Sequence, residues 1–127
     1  MKNNPVVWFE IYVRDMPRAR TFYEAVFGIK LEKLQTPEEG PTEMWAFPMQ
    51  QNGAGATGAL AKMPDGPCGE GNSTIVYFSS EDCAIEATRV VPNGGRVMKE
   101  KFAIGEYGFI ALVIDTEGNV IGIHSNQ

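Results

Sequence analysis

Glu10 and His124 are the side chains of this 127-residue chain best suited to moving a proton. His124 is its only histidine, and imidazole is the side chain whose ordinary titration falls near neutrality. Glu10 stands within Trp8-Phe9-Glu10-Ile11-Tyr12, and a carboxylate in the middle of a strand is costly to bury unless something bonds to it. An acid and an imidazole could form an acid/base pair or a two-residue site for a divalent ion. Each also has a plainer reading. Glu10 can be paired with an Arg or a backbone N–H, and His124 can be a strand-end imidazole hydrogen-bonded near the C-terminus.

The elements that must position them come in two similar sets. Asp15 and Gly28 lie thirteen residues apart, as do Asp82 and Gly95, sixty-seven positions further on. Before Asp15, one parity gives Phe9, Ile11 and Val13, an apolar face, and the other gives Trp8, Glu10 and Tyr12, large side chains with polar ends. That is the period of a strand with one dry and one mixed face. Asp15 can cap a helix, Pro17 is tolerated in its first turn, and Gly28 offers a left-handed stop. Ala19, Phe22, Tyr23 and Val26 follow at helical spacing. In the second set Asp82 is the cap, Ala84, Ala87 and Val91 form one stripe, and Pro92 ends the helix before Asn93-Gly94-Gly95. Further strands are expected at 29–34, 43–48, 57–62, 96–98 and 108–114. Thr116 to Asn119 makes a turn into a last strand that carries His124.

The order β-α-β-β-β, twice, predicts an α+β domain over residues 5–125. Module one covers 5–62, a linker 63–72 and module two 73–125. Two curved sheets with helices outside would form a cup able to enclose a small organic molecule. Trp8, Tyr12 and Tyr77 share the cup parity and could contact a flat or partly apolar ligand, or simply fill the core. The inner or outer sense of Trp45 and Phe47 is open.

Composition narrows the function classes. Asp and Glu number 16 against 11 Lys and Arg, for a net charge of −5 and a pI of about 4.8. With no basic run, a nucleic-acid partner is disfavoured. No apolar stretch approaches the roughly 18 to 20 residues that span a bilayer, and no signal-peptide region precedes the first strand. Cys68, in the linker, has no neighbouring base to make it a nucleophile. Cys83, after a helix cap, reads as a small buried side chain. Free thiols and cytoplasmic residence are the expectation.

The residues also carry a resemblance. Phe9-Glu10-Ile11, Val13-x-Asp15 and Arg18-Ala19-x-x-Phe22-Tyr23-Glu24-Ala25-Val26-Phe27-Gly28 resemble the first module of the vicinal oxygen chelate superfamily, the glyoxalase, bleomycin-resistance and extradiol-dioxygenase group. Asp82, Gly94-Gly95-x-Val97, Gly108-Phe109, Asp115-x-x-Gly118-Asn119 and Ile121-Gly122-x-His124-Ser125 resemble the second. The resemblance implies divalent-metal ligands seven residues before each capping Asp and four after the Gly of Asp-x-x-Gly. Here those positions are Trp8, Ile75 and Gly122, none of which offers a donor to a metal. At the end of module one the register is open, but residues 53–63 hold no His, Asp or Glu.

The reading favoured on this basis is a metal-independent binding protein with no cofactor. Its small organic ligand would be held by Trp8, Glu10, Tyr12, Tyr77 and His124. The alternative is a lyase, isomerase or dioxygenase-like enzyme with Glu10 and His124 as its catalytic pair, in a metal-free or relocated divalent-metal site. The resemblance further implies a homodimer.

Overall fold

A computed structural model describes residues 4–36, 42–64 and 73–127. The chain divides into two compact units, Trp8–Thr74 and Ile75–Gln127 with the residues ahead of Trp8. Among the described residues each module runs β-α-β-β-β, so the fold is α+β with an internal repeat.

Module one comprises β1 (Val6–Tyr12), α1 (Met16–Phe27), β2 (Glu32–Lys33), β3 (Glu43–Ala46) and β4 (Thr57–Lys62). Its strands lie in the order β2-β3-β4-β1, with β1 parallel to β4 and the other pairs antiparallel. Module two comprises β5 (Thr74–Ser79), α2 (Cys83–Val90), β6 (Arg96–Ala103), β7 (Phe109–Ile114) and β8 (Val120–Ser125). Its order β6-β7-β8-β5, with β5 parallel to β8, is the same topology again. The first strand of a module therefore always lies beside its last, which brings together residues about fifty positions apart.

Local signals set the helix ends. Asp15 stays extended and accepts the Arg18 backbone N–H at 3.0 Å, so one orphan donor of α1 is satisfied. Gly28, at φ 64°, closes the helix in the left-handed region and returns its N–H to the Glu24 carbonyl. Asp82 repeats the cap on the Ala84 N–H at 3.1 Å. The exit runs through the expected Asn93-Gly94-Gly95. After Val90 the chain makes a 3-10 turn over Val91–Asn93 that includes Pro92, and Gly94, at φ 96°, is the left-handed residue. Gly95 is required for space instead, since a Cβ there would come within 2.6 Å of the Ile114 carbonyl oxygen.

Each helix covers one face of its sheet. Under α1, Met16, Leu31 and Leu60 are buried with Ile11, Val13, Ala19, Tyr23, Trp45 and Phe47 packed around them. Each large apolar side chain so enclosed contributes about 1.5–3 kcal/mol. The α1 stripe is narrower than its spacing suggests. Phe22, Val26 and Phe27 are 58%, 57% and 62% exposed, because the sheet is met by the Met16, Ala19 and Tyr23 side of the helix. Under α2 the core is Cys83, Ala87, Ala111, Val113 and Ile123, whereas Val91 is exposed.

Three strands depart from their expected bounds. β2 is only Glu32–Lys33, β3 stops at Ala46, and β6 continues to Ala103 through two register shifts against β7.

Candidate functional site

Strand period two divides β1 cleanly. Ile11 pairs with Leu60 and belongs to the core beneath α1, so Trp8, Glu10 and Tyr12 lie on the opposite, helix-free face of the sheet. Their register partners on β4 are Thr57, Ala59 and Ala61. The two alanines are fully buried and reach no further than Cβ.

Glu10 is 7% exposed. Its Oε1 accepts the Tyr12 O–H at 2.7 Å, and its Oε2 accepts the Trp8 Nε1–H at 3.1 Å. Side chains two apart on one strand face are close enough for this, so a single strand supplies an acid and two of its donors. These bonds offset the loss of hydration that a buried carboxylate suffers. Trp8 and Tyr12 thus turn their polar ends to Glu10 and are more than an aromatic wall.

In module two, Ile123 packs beneath α2, which leaves Gly122, His124, Leu112 and Ile110 on the helix-free face. Tyr77 pairs with Gly122 and is buried there. Its ring lies over the glycine, where a Cβ would collide with it. His124 is two residues further along β8. Its Nε2 lies 2.6 Å from the carbonyl oxygen of Tyr107, in the 3-10 turn Gly105–Tyr107. One ring nitrogen is therefore engaged by backbone, as a strand-end imidazole can be. Partial burial, and secondarily the Glu106 carboxylate, hold the Tyr107 phenol above its usual range.

The pairings also fix the register left open at the end of module one. Glu10 and Tyr77 each precede their capping Asp by five residues, and they pair with Ala59 and Gly122 respectively. Ala59 is thus the module-one counterpart of Gly122. The positions at which a metal would be expected are Trp8, Ala59, Ile75 and Gly122, and these residues do not fit an ion. The indole nitrogen of Trp8 is a donor already given to Glu10, and the other three side chains carry no ligating atom. Among the described residues, no group of three or more His, Cys, Asp or Glu side chains is placed to hold a metal.

Trp45 and Phe47 lie on the helix side. The Arg20 guanidinium stacks 3.5 Å above the Trp45 ring, while Phe47 meets Phe9 and Tyr23. Cys83 is buried, with its backbone N–H donating to Ser125 Oγ at 3.0 Å. Cys68 lies outside the described residues. Sequence reasoning passed over Thr57, which opens β4 beside Trp8 and keeps a buried hydroxyl oxygen that has no hydrogen-bond partner. Only the strand pairing reveals its place.

Comparison with known proteins gives this arrangement a context. Over 118 residues the chain is 30% identical to CFP32, provisionally named a glyoxylase, from Mycobacterium bovis and from Mycobacterium tuberculosis. That match takes in 91% of the chain, yet the chain spans only 43% of the length of these relatives. Among solved structures, a Streptomyces coelicolor methylmalonyl-CoA epimerase variant in complex with 2-nitronate-propionyl-CoA superposes with a TM-score of 0.69 at 18% identity, covering 96% of each chain. The methylmalonyl-CoA epimerase of Mycobacterium tuberculosis gives 0.69 at 15% identity, covering 97% of this chain and 88% of its own. A hypothetical protein from Bacillus halodurans gives 0.72 at 13%, covering 99% and 96%. At such identities the structures share the fold. The family model for the Glyoxalase/Bleomycin resistance protein/Dioxygenase superfamily matches residues 6–123, and to that superfamily this chain belongs.

Proposed function

We propose that this chain is a metal-independent small-molecule-binding member of its superfamily, with its ligand contacts on the helix-free faces of the two modules. Trp8, Glu10 and Tyr12 supply them in module one, Tyr77 and His124 in module two. The observation that carries the reading is the Trp8–Glu10–Tyr12 ladder. A position that would ligate a metal holds an indole whose N–H is committed to a buried carboxylate. Such a ladder presents a carboxylate framed by two aromatic rings, a combination that suits a partly apolar organic molecule carrying a hydrogen-bond donor. The epimerases of the same fold solved with CoA esters make an acyl compound the first class to screen.

Glu10 also supports a second reading, that of an acid/base enzyme. Its buried carboxylate, bonded by Tyr12 at 2.7 Å, could accept a proton from carbon beside a carbonyl while the electron pair moves to the carbonyl oxygen. We read the protein further as a cytoplasmic homodimer. The free, buried Cys83 supports a reducing compartment, and the exposed Phe22, Val26 and Phe27 of α1 supply apolar surface for a partner.

Protein exposed to Zn²⁺, Ni²⁺, Mn²⁺ and Fe²⁺ and then gel-filtered is expected to retain less than about a tenth of an ion per chain. One firmly held ion per chain would overturn the metal-independent reading. Thermal shift against a library of small acyl compounds should find binders whose effect is lost in W8F and E10Q. Solvent deuterium exchange into such a compound, abolished by E10Q, would decide for the enzyme.

A further inference from the structure

We propose that the β3–β4 turn is an anchoring subsite for an uncharged oxygen acceptor of the ligand, a ketone, ester or amide carbonyl, which the Thr57 hydroxyl receives. The proposal rests on the reading above for the face on which the ligand lies.

Thr57 pairs with Trp8, and the alternation that sends Leu60 under α1 puts Thr57 on the face that carries Glu10. Its Oγ1 is closed to solvent and makes no hydrogen bond. A buried hydroxyl in that state is rare and destabilising, because it has lost its water without gaining a partner. Valine would fill the same volume without that cost. A hydroxyl retained there is explained when an atom brought by a ligand completes it.

Beside it the turn forms an open depression of about 260 Å³, lined among others by Pro48, Met49, Gln50, Gly53, Ala56 and Thr57. Thr57 is part of this wall, and a turn about χ1 carries its oxygen between staggered positions. The lining decides the ligand's charge. It includes no Lys, Arg, Asp or Glu, so an ionised carboxylate or phosphate would meet no countercharge there. A neutral carbonyl accepts one hydrogen bond from Thr57 and leaves its carbon substituents against proline, methionine and alanine.

The test uses ¹⁵N-labelled wild type, T57V and T57S, titrated with N-methylacetamide and separately with acetate. N-methylacetamide is expected to shift the amides of residues 53–57 saturably in wild type and T57S, and about tenfold more weakly in T57V. Acetate is expected to leave them in place. T57V should melt at or above the wild-type temperature, since it removes an unsatisfied polar atom. Equal binding to T57V, no response in wild type, equal binding of acetate, or a lower melting temperature for T57V would each overturn the subsite. These readouts do not use Glu10 or Trp8. Loss of the acyl-compound binding reading therefore shows in the W8F and E10Q assays, while the Thr57 shifts judge the subsite separately.

Discussion

Tyr77 lays its ring across Gly122, occupying the space that any side chain at that position would need. The strand pairing of β5 with β8 makes the two direct neighbours on the helix-free face of module two. A glycine at a position where the family resemblance implies a metal ligand is therefore built into the packing. The Tyr77 ring fills that space.

This packing predicts a specific intolerance. G122A should destabilise the protein by about 1–3 kcal/mol, the usual cost of forcing an extra methyl into packed surroundings. The same substitution on a Y77A background should cost distinctly less. Urea unfolding of the four proteins checks this, and an equal cost on both backgrounds would mean that the ring does not lie on Gly122.

The ladder on β1 predicts coupled losses. Y12F removes one hydrogen bond to a buried carboxylate and should cost about 1.5–3 kcal/mol. E10Q should cost about 1–3 kcal/mol, because its amide NH₂ then faces the indole or phenol donor. Since both act on the same bond, the double variant E10Q/Y12F should be less destabilised than the sum by roughly 1 kcal/mol. Additivity in chemical denaturation would show that Tyr12 and Glu10 do not meet.

Ser125 links the end of the chain to the start of α2. Its Oγ accepts the Cys83 N–H at 3.0 Å and donates to the Gln127 carbonyl at 2.8 Å, and the residue is almost wholly buried. S125A leaves an amide without a partner and should cost about 1–3 kcal/mol. Faster hydrogen exchange at the Cys83 amide would locate the loss, and an unchanged exchange rate there would refute the link.

Asp82 gives the stability a defined acid dependence. The hydrogen bond from Lys101 at 2.8 Å, then the cap bond to Ala84, holds its carboxyl below its ordinary value of 3.8. A carboxyl lowered in the folded state binds its proton more readily when unfolded. Its contribution is therefore fully present above pH 3.8 and is lost as the pH falls from there through the lower folded-state value. D82N should flatten that part of a urea-midpoint profile, and K101M should reduce it. A steeper fall in D82N would contradict the sign.

What was legible in the sequence was local. The caps at Asp15 and Asp82, the stop at Gly28 and the shared parity of Trp8, Glu10 and Tyr12 each depend on residues within a few positions of one another. Backbone geometry at that range is fixed by side-chain chemistry. At the second exit, Asn93-Gly94-Gly95, the division of roles was not legible, because the left-handed turn at Gly94 and the tight approach of Gly95 to Ile114 are consequences of packing.

The sequence by itself determined the doubled β-α-β-β-β unit, its superfamily resemblance and the lack of ligating atoms at Trp8, Ile75 and Gly122. Only the tertiary structure decided that Ala59 matches Gly122, that Trp45 and Phe47 lie beneath α1, and that Phe22 and Val26 on α1 stay exposed. It also chose the partners of Glu10 and placed Thr57 beside Trp8. The physical reason is common to all of these. A strand's period fixes which residues share a face, but the strand about fifty positions away, and the side of the helix laid on it, fix what that face meets.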